Sequence, residues 1–535
     1  MSVKRIMGTE TEYAVSLANT PNSTDGGHYN PVQLSFDVVD GASAPETRHI
    51  RWDYRQEDPV NDARGHRLER AAARPDMLTD APQLNITNVI APNGARVYVD
   101  HAHPEYSAPE TRDPFDAVAW DHAGDRIMQA AAERASANTG RPIALHRNNV
   151  DGKGACWGTH ENYLMERSVP FDDVIALMTP HFVSRQIYAG SGRVGLGECS
   201  EGNGYQLSQR ADYVHARVGL QTTFDRPIVN TRDEPHAASD RYRRLHVITG
   251  DANRMETPQV LKLGVTSMLL WLLEHAGEAG FDLTALEDGL ALADPVQAMH
   301  TVSHDLTLDE ALPLANGGTT TAWMMQVRLR AAVYEVAAAV HGTDTRGEPA
   351  WPDRSTASVM AMWGQALADA AAIRHANDDE RLGMAGEASR VEWLLKWQLL
   401  ERMRRKHGCD WSAARLKALD LGWAALDPKT SIWSRMEPRA ERVLDPGRVE
   451  HAAAEPPEDT RAWLRAEVVR RFPAEVVAAS WTHLDVLDGS DAQAIGSGGG
   501  TFDFDMSDPS RFGKAQCAEA LRHAKSAAGL LESLL

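Results

Sequence analysis

Arg96-Val-Tyr-Val-Asp-His-Ala-His-Pro-Glu-Tyr106 reads as a strand running into a polar turn. Side chains alternate along a strand, so Arg96, Tyr98 and Asp100 share one face while Val97 and Val99 share the other. Pro104 has no N–H to give to a ladder and is expected to stop the strand. A carboxylate, a phenol and an arginine on one face are costly in a core and useful in a site. Gly8-Thr-Glu-Thr-Glu-Tyr13 repeats the pattern and puts Glu10 and Glu12 on one face of a second strand.

Two further segments extend the theme. In Trp157-Gly-Thr-His-Glu-Asn-Tyr163, Thr159, Glu161 and Tyr163 share a face, with His160 and Asn162 on the other. In Arg243-Arg-Leu-His-Val-Ile-Thr-Gly-Asp-Ala-Asn253, Arg244, His246 and Ile248 alternate with Leu245 and Val247. Four strands carrying acids or a histidine beside β-branched residues describe a sheet with a charged concave face. Such a face is a platform for metal and nucleotide, with separately placed cations for phosphate. Magnesium takes hard oxygen ligands, which Glu10 and Glu12 supply. Arg226-Pro-Ile-Val-Asn-Thr-Arg-Asp-Glu-Pro-His236 is expected to be a charged loop, in which Arg232 offers a planar fork of donors to phosphate or an oxyanion. His101 and His103 form an H-x-H pair, but no third Cys or His ligand stands near, which argues against zinc. His103 and Pro104 are expected instead to set the turn that returns Glu105 to the site.

The bulk properties narrow the class. With 535 residues, the chain exceeds one ordinary core, which predicts a large domain and a small one. A net charge of -20 repels nucleic acid. No apolar run is long enough to span a membrane, and the first residues lack the apolar core of a signal peptide. Four scattered cysteines without a CxxC pair fit a reducing cytoplasm. The basic run Arg402-Met-Arg-Arg-Lys-His407 reads as a solvated helix end whose cations match the dipole, or as a dock for an acidic partner.

Along the chain, residues 1–16 read as strand, and 17–82 as a long Asn/Asp/Gly/Pro-rich loop with Arg51-Trp-Asp-Tyr54 at its centre. Strands are expected at Val97–Val99, Ile143–His146, Gly158–Leu164 and Val214–Thr223. Helices are expected at 114–137, 254–278 and 387–406, with mostly helix after 286. A turn or linker is expected at 452–458, then a small α+β tail with a Gly/Ser loop at 496–500.

The motifs together resemble the Pup deamidase/depupylase family, which belongs with the Pup ligases to a carboxylate–amine ligase superfamily related to glutamine synthetase. They are the segments at 8–13, 93–106, 158–164, 226–237 and 243–253, with Pro456-Pro-Glu-Asp-Thr-Arg-Ala462. Trp52-Asp-Tyr54 and Asp62-Ala-Arg-Gly65 resemble the loop that the deamidase branch inserts and the ligase branch lacks. Cys156-Trp157 departs from the usual Ser-Tyr, and Arg55-Gln56 from the usual loop residues.

The resemblance implies an α+β fold. A large glutamine-synthetase-like domain over 1–450, with a curved, mainly antiparallel sheet backed by helices and a loop inserted at about 40–80, would precede a small α+β domain over 451–535. It implies Asp100 as the catalytic carboxylate, nucleophile or general base, with Arg232 facing phosphate or oxyanion. Glu10, Tyr98, Glu105, Glu161 and His246 would hold Mg2+. Gly8, Glu10, Glu12, Ser107, Arg244 and His246 would hold ATP, used as a bound cofactor. The substrates would be the C-terminal Gln of Pup and the Pup–lysine isopeptide bond of pupylated proteins, in a proteasome pathway. The alternative is Pup ligation with ATP consumed. Trp52, Tyr54 and Arg64 are expected to order over the nucleotide as a gate.

Overall fold

A computed structural model describes residues 2–18, 30–55, 57–69, 87–488 and 500–535. The architecture is α+β, and its centre is a six-stranded, wholly antiparallel sheet. Its strands are β1 (Met7–Glu12), β2 (Asn88–Ile90), β3 (Arg96–Asp100), β4 (His103–Ser107), β5 (Thr159–Glu166) and β6 (Tyr242–Val247), in the spatial order β6-β5-β1-β4-β3-β2. Alternation sorts the two faces. Val97, Tyr106, Tyr163, Leu245 and Val247 are buried on one, against the helices α2 (Pro114–Thr139) and α3 (Glu256–Ala279).

The backing is polar where it meets β1. Thr9 and Thr11 both donate to Asp121 of α2, at 2.8 and 3.2 Å, and the Tyr13 hydroxyl donates to Asp125 at 2.9 Å. Arg147 neutralises both acids, and all of this is buried. The odd-numbered residues of β1 are thus bolted to a helix, while the even-numbered Glu10 and Glu12 turn the other way.

Several expectations are corrected. Residues 17–82 are not all loop: α1 (Pro31–Ala42) starts at an Asn30 cap with proline in its first turn and packs on α2. The contact is close enough that a Cβ on Gly41 would lie 2.4 Å from the Ala131 carbonyl oxygen. Pro104 does not end a strand. β3 stops at Asp100, His101 turns the chain with φ 51°, and Pro104 lies in β4 opposite Val99. The Val99 N–H points away to Thr87, so this pair needs no donor from proline. Arg226–Asn230 is a strand, paired in parallel with Val214–Gly219, rather than loop. The Gly/Ser loop lies outside the described residues except for Gly500.

The buried apolar residues form one large core, which runs as far as Ala452, and a second built chiefly from Trp463 to Leu531. The second contains an intruder, Ile50. Next to it, Arg51–Trp52 adds as a strand, parallel to Val476–Ala479, at the end of the C-terminal sheet. The two parts are also joined through Glu110, which binds Arg461 at 2.7 Å and Arg465 at 2.6 Å. Among the described residues, no helix is long and apolar enough to cross a membrane.

Candidate active site

The register of the sheet assembles the site on the face away from α2 and α3. Glu10 stands opposite His160 of β5 and Ser107 of β4, and Glu12 opposite Glu105. Glu105 is also opposite Tyr98, Asp100 opposite His103, and Asn162 opposite His246. Cross-strand partners lie about 5 Å apart, so residues from five segments form one continuous polar lattice.

Two clusters stand out. Glu12, Asp100 and Glu105 each present an oxygen, all within 4.8 Å of one another, and Glu10, His160 and His246 each present a ligand atom within the same limit. Electrostatics within the lattice is uneven. Burial raises Glu105, and the charges of Asp100, Glu12 and Glu10 add to it, so its carboxyl titrates well above the ordinary range. Tyr98 donates to Glu105 Oε1 at 2.6 Å, while Oε2 is buried with no partner among the described residues. Burial also raises Glu12 and Glu10. At Glu12, the hydrogen bond and charge of His103, aided by His160 and Arg210, more than offset it and hold the carboxyl at about 2. At Glu10, His160, His246 and Arg244 do the same and hold it well below normal. Burial, then Arg244, depresses His246 and keeps it neutral. With Nδ1 donating to Asn162 Oδ1 at 2.8 Å, the His246 Nε2 lone pair is left buried and, among the described residues, unpartnered.

These features fit a divalent cation. Bunched acids, an orphan carboxylate oxygen and an orphan imidazole nitrogen are what such an ion satisfies; the oxygen-only cluster of Glu12, Asp100 and Glu105 suits magnesium, while Glu10 with His160 and His246 offers a mixed oxygen and nitrogen set.

Glu161, expected as a metal ligand, is not on this face. It is fully buried on the opposite one, bound by Arg185 at 2.6 and 2.9 Å and by the Tyr163 hydroxyl at 2.6 Å. Its neighbours His160 and Asn162 face the site instead. Arg64 also turns elsewhere, pairing with Asp62, and does not line the cavity.

Over the lattice lies a cavity of about 270 Å³, lined by Glu10, Tyr98, Asp100, Glu105, Arg232 and His246. Tyr54, Glu57 and Pro59 of the inserted loop form part of its wall. Arg96 joins this wall to the sheet. Its guanidinium lies 4.2 Å from the Trp52 ring and 4.0 Å from the Tyr98 ring, and donates to Asn88 at 2.7 Å and Glu57 at 3.2 Å. Among the described residues, Arg232 Nε is buried with no hydrogen-bond partner, and the carboxylate of Glu234 is 3.7 Å away.

Glu10 also borders a narrower cleft of about 80 Å³ that takes in Gly8, Ser107 and Arg244. Its far wall comes from the C-terminal unit, with Arg461 and Trp481. This cleft and the cavity thus share the acid between them, an arrangement suited to an extended anionic ligand with a flat end.

The expected residues Gly8, Glu10, Glu12, Tyr98, Asp100, Glu105, Ser107, Arg232, Arg244 and His246 are therefore gathered in one place; Glu161 is not. His160, Glu57, Arg461 and Trp481 are additions. His160 had a legible signal, since it lies opposite Glu10 once β1 and β5 are paired. Trp481 had none, because nothing local connects it to Gly8.

Comparison with known proteins gives a consistent picture. A family model described as Pup-ligase protein matches residues 5–485. The Pup deamidase/depupylase of Mycobacterium tuberculosis is 43% identical over 486 residues, 90% of each chain. A Pup–protein ligase of Acidimicrobium ferrooxidans is 36% identical over 412 residues, 75% of this chain and 84% of that one. Among solved structures, the complex between prokaryotic ubiquitin-like protein Pup and its ligase PafA matches with TM-score 0.73 and 25% identity, covering 99% of this chain and 91% of that one. The Pup ligase PafA in complex with ADP matches with TM-score 0.67 and 27% identity, covering 84% and 90%.

Proposed function

Because the chain belongs to the Pup-ligase family, we propose that it is a hydrolase acting on Pup carboxamides: it deamidates the C-terminal Gln to Glu and cleaves the Pup–lysine isopeptide bond of pupylated proteins. Both substrates are amides at the same side-chain carbon, so one site serves them. The observation that carries the choice is the likeness to a deamidase/depupylase, 43% identical over 90% of each chain, against 36% over 75% of this chain for a ligase.

ATP would be held as a bound cofactor by the acidic lattice and the neighbouring cleft that Trp481 borders. The ADP complex of a structural relative supports a nucleotide here. Glu10, Glu12, Tyr98, Glu105, His160 and His246 would hold magnesium; bound, it would neutralise the bunched acids and orient phosphate oxygens. Gly8, Ser107 and Arg244 border the cleft beside it.

The chain's own residues then account for amide cleavage. Asp100 is the open acid of its cluster, with its side chain 39% exposed against 11% for Glu12. Its carboxylate attacks the amide carbon, or draws a proton from the water that does so. Either route makes a tetrahedral oxyanion, which collapses as the C–N bond breaks; on the water route the proton that Asp100 took passes to the departing ammonia or lysine amine, and on the direct route the amine takes its proton from a water whose hydroxide then hydrolyses the Asp100 anhydride. Arg232, with its open Nε–H, faces that oxyanion. The inserted loop closes one side of the cavity, and Trp52 and Tyr54 act there as a gate. We take the chain as two units, 1–450 and 451–535, the second completed by Arg51–Trp52, and place it in the cytoplasm on a proteasome pathway.

The test is to mix the full chain with Pup ending in Gln, Mg2+ and ATP, and to follow the mass of Pup and the ATP level together. Conversion of amide to acid with ATP intact is expected. Pup ligation is the second reading, favoured by the two solved ligases. Unchanged Pup-Gln, with ATP consumed only when Pup-Glu and a lysine-bearing target are supplied, would establish it.

A further inference from the structure

A separate cavity of about 380 Å³ lies between the loop that starts at Asn148 and the helix Ala414–Ala424, and it shares no lining residue with either cleft of the active site. Its size is that of a small-molecule site. We infer that it binds a phosphate group, free or carried on a small hydroxylated molecule, through the buried guanidinium of Arg193.

Arg193 is 1% exposed, and among the described residues no carboxylate lies within ion-pair distance of it. Among the described residues its Nη atoms donate only to neutral oxygens, the Gly197 carbonyl, Ser200 Oγ at 3.3 Å and the Gln209 carbonyl at 3.4 Å, and its Nε has no partner. Asp212 feels the Arg193 charge but makes no ion pair with it, and is engaged instead by His304 at 2.7 Å, Gln206 at 2.8 Å and the Gly197 N–H at 2.8 Å. A buried cation is normally paired, because its desolvation is otherwise uncompensated.

The remaining wall points the same way. Lys153 and Lys417 stand exposed on opposite sides of the cavity, and neither makes an ion pair among the described residues. The two acids present are already occupied. Asp420 lies between Lys396 at 3.0 Å and the Val194 N–H at 2.8 Å, and Asp151 caps its own loop through the N–H groups of Lys153 at 2.7 Å and Ala155 at 3.0 Å. Three separated donors, each approaching alone, suit a tetrahedral phosphate better than a planar carboxylate, which matches a two-pronged fork. Asn148 Oδ1, buried and unpartnered, asks in addition for a donor, which a hydroxyl or a protonated phosphate oxygen supplies.

The site is wired to the catalytic lattice by its own loop. Six residues on from Lys153 the chain enters β5 at Thr159, and on the way Gly158 donates to Glu12 Oε1 at 2.9 Å and accepts from the Glu12 N–H at 3.1 Å.

The experiment titrates the full chain, its nucleotide site filled with Mg2+ and β,γ-methylene-ATP, with inorganic phosphate, ribose 5-phosphate or ribose in a calorimeter. Saturable binding of one or both phosphates, without binding of ribose, is expected, and their order of affinity tells a free phosphate from an ester. The Lys153→Ala/Lys417→Ala double variant, which changes only exposed side chains, should weaken that binding about tenfold or more, two charge-assisted contacts being lost. Absence of saturable binding by either phosphate, or binding that the double variant leaves unchanged, overturns the proposal.

Discussion

Asp121→Asn tests whether the back of the sheet sets the geometry of its front. Asp121 is 1% exposed and accepts from Thr9, Thr11, Gln259 and Arg147. Asparagine has the same shape but turns one oxygen into a donor, which then confronts other donors. Burial raises the Asp121 carboxyl, yet Arg147 and its other partners hold it at about 2 against an ordinary 3.8. That difference corresponds to about 2.5 kcal/mol of stability at neutral pH. Removing one partner of a buried pair typically costs about 3–5 kcal/mol. Asp125, 3.1 Å from Arg147, keeps part of the compensation, so about 3 kcal/mol is expected. Urea denaturation measures it. The folded variant should in addition bind Mg2+-nucleotide about tenfold more weakly by calorimetry, since Thr9 and Thr11 hold the strand whose other face carries Glu10 and Glu12. Full destabilisation with wild-type nucleotide affinity would refute the coupling, and wild-type stability would refute the account of the buried network.

Asp100→Asn should keep Mg2+-nucleotide binding while lowering Pup-Gln deamidation by at least about 10³-fold; deamidation close to wild type removes Asp100 from the reacting atoms. Glu161→Gln should destabilise the protein by about 3–5 kcal/mol through the loss of its buried pair with Arg185, and leave nucleotide affinity unchanged in the folded variant. The reverse outcome in calorimetry and denaturation would restore Glu161 as a ligand. Burial raises Glu110, but Arg465 and Arg461 outweigh it and hold the carboxyl at about 2 against 4.5. Its contribution, about 3 kcal/mol, is present above pH 4.5 and lost as pH falls toward 2. Urea curves at stepped pH should show wild type losing its advantage over Glu110→Gln in that window, and parallel curves would contradict it. Deleting residues 45–69 should strip the wall beside Arg96 and alter both cleavage rate and nucleotide dependence, with unchanged kinetics rejecting a gate.

The site was legible in the sequence wherever a period of two sufficed. Glu10 with Glu12, Arg96 with Tyr98 and Asp100, and Arg244 with His246 share faces because alternate residues must. Period alone does not say which face is inward, so nothing in it could correct the resemblance, which implies Glu161 as a metal ligand although that side chain lies with the core. The deciding partner, Arg185, sits on a different element and is visible only in three dimensions. The helix Pro31–Ala42 was hidden by its Asn/Asp/Gly surroundings, although its Asn-Pro start is a capping signal. Arg51–Trp52 was hidden for a deeper reason: two residues carry no periodicity, and their pairing partner comes from the other end of the chain.

That pairing bears on how the enzyme is made. Trp52 emerges from the ribosome early, and Ala479, its partner in the sheet, more than four hundred residues later. Contacts of such separation form late, after the loop-closure entropy has been met by other structure. Trp52 is also the ring against which Arg96 rests, and Arg461 and Trp481 complete the narrower cleft. Throughout translation, then, the nascent chain carries its acids on an unfinished surface. A chain cut before Ala479 and Trp481 is therefore expected to lack both the strand partner of Trp52 and one wall of the narrower cleft.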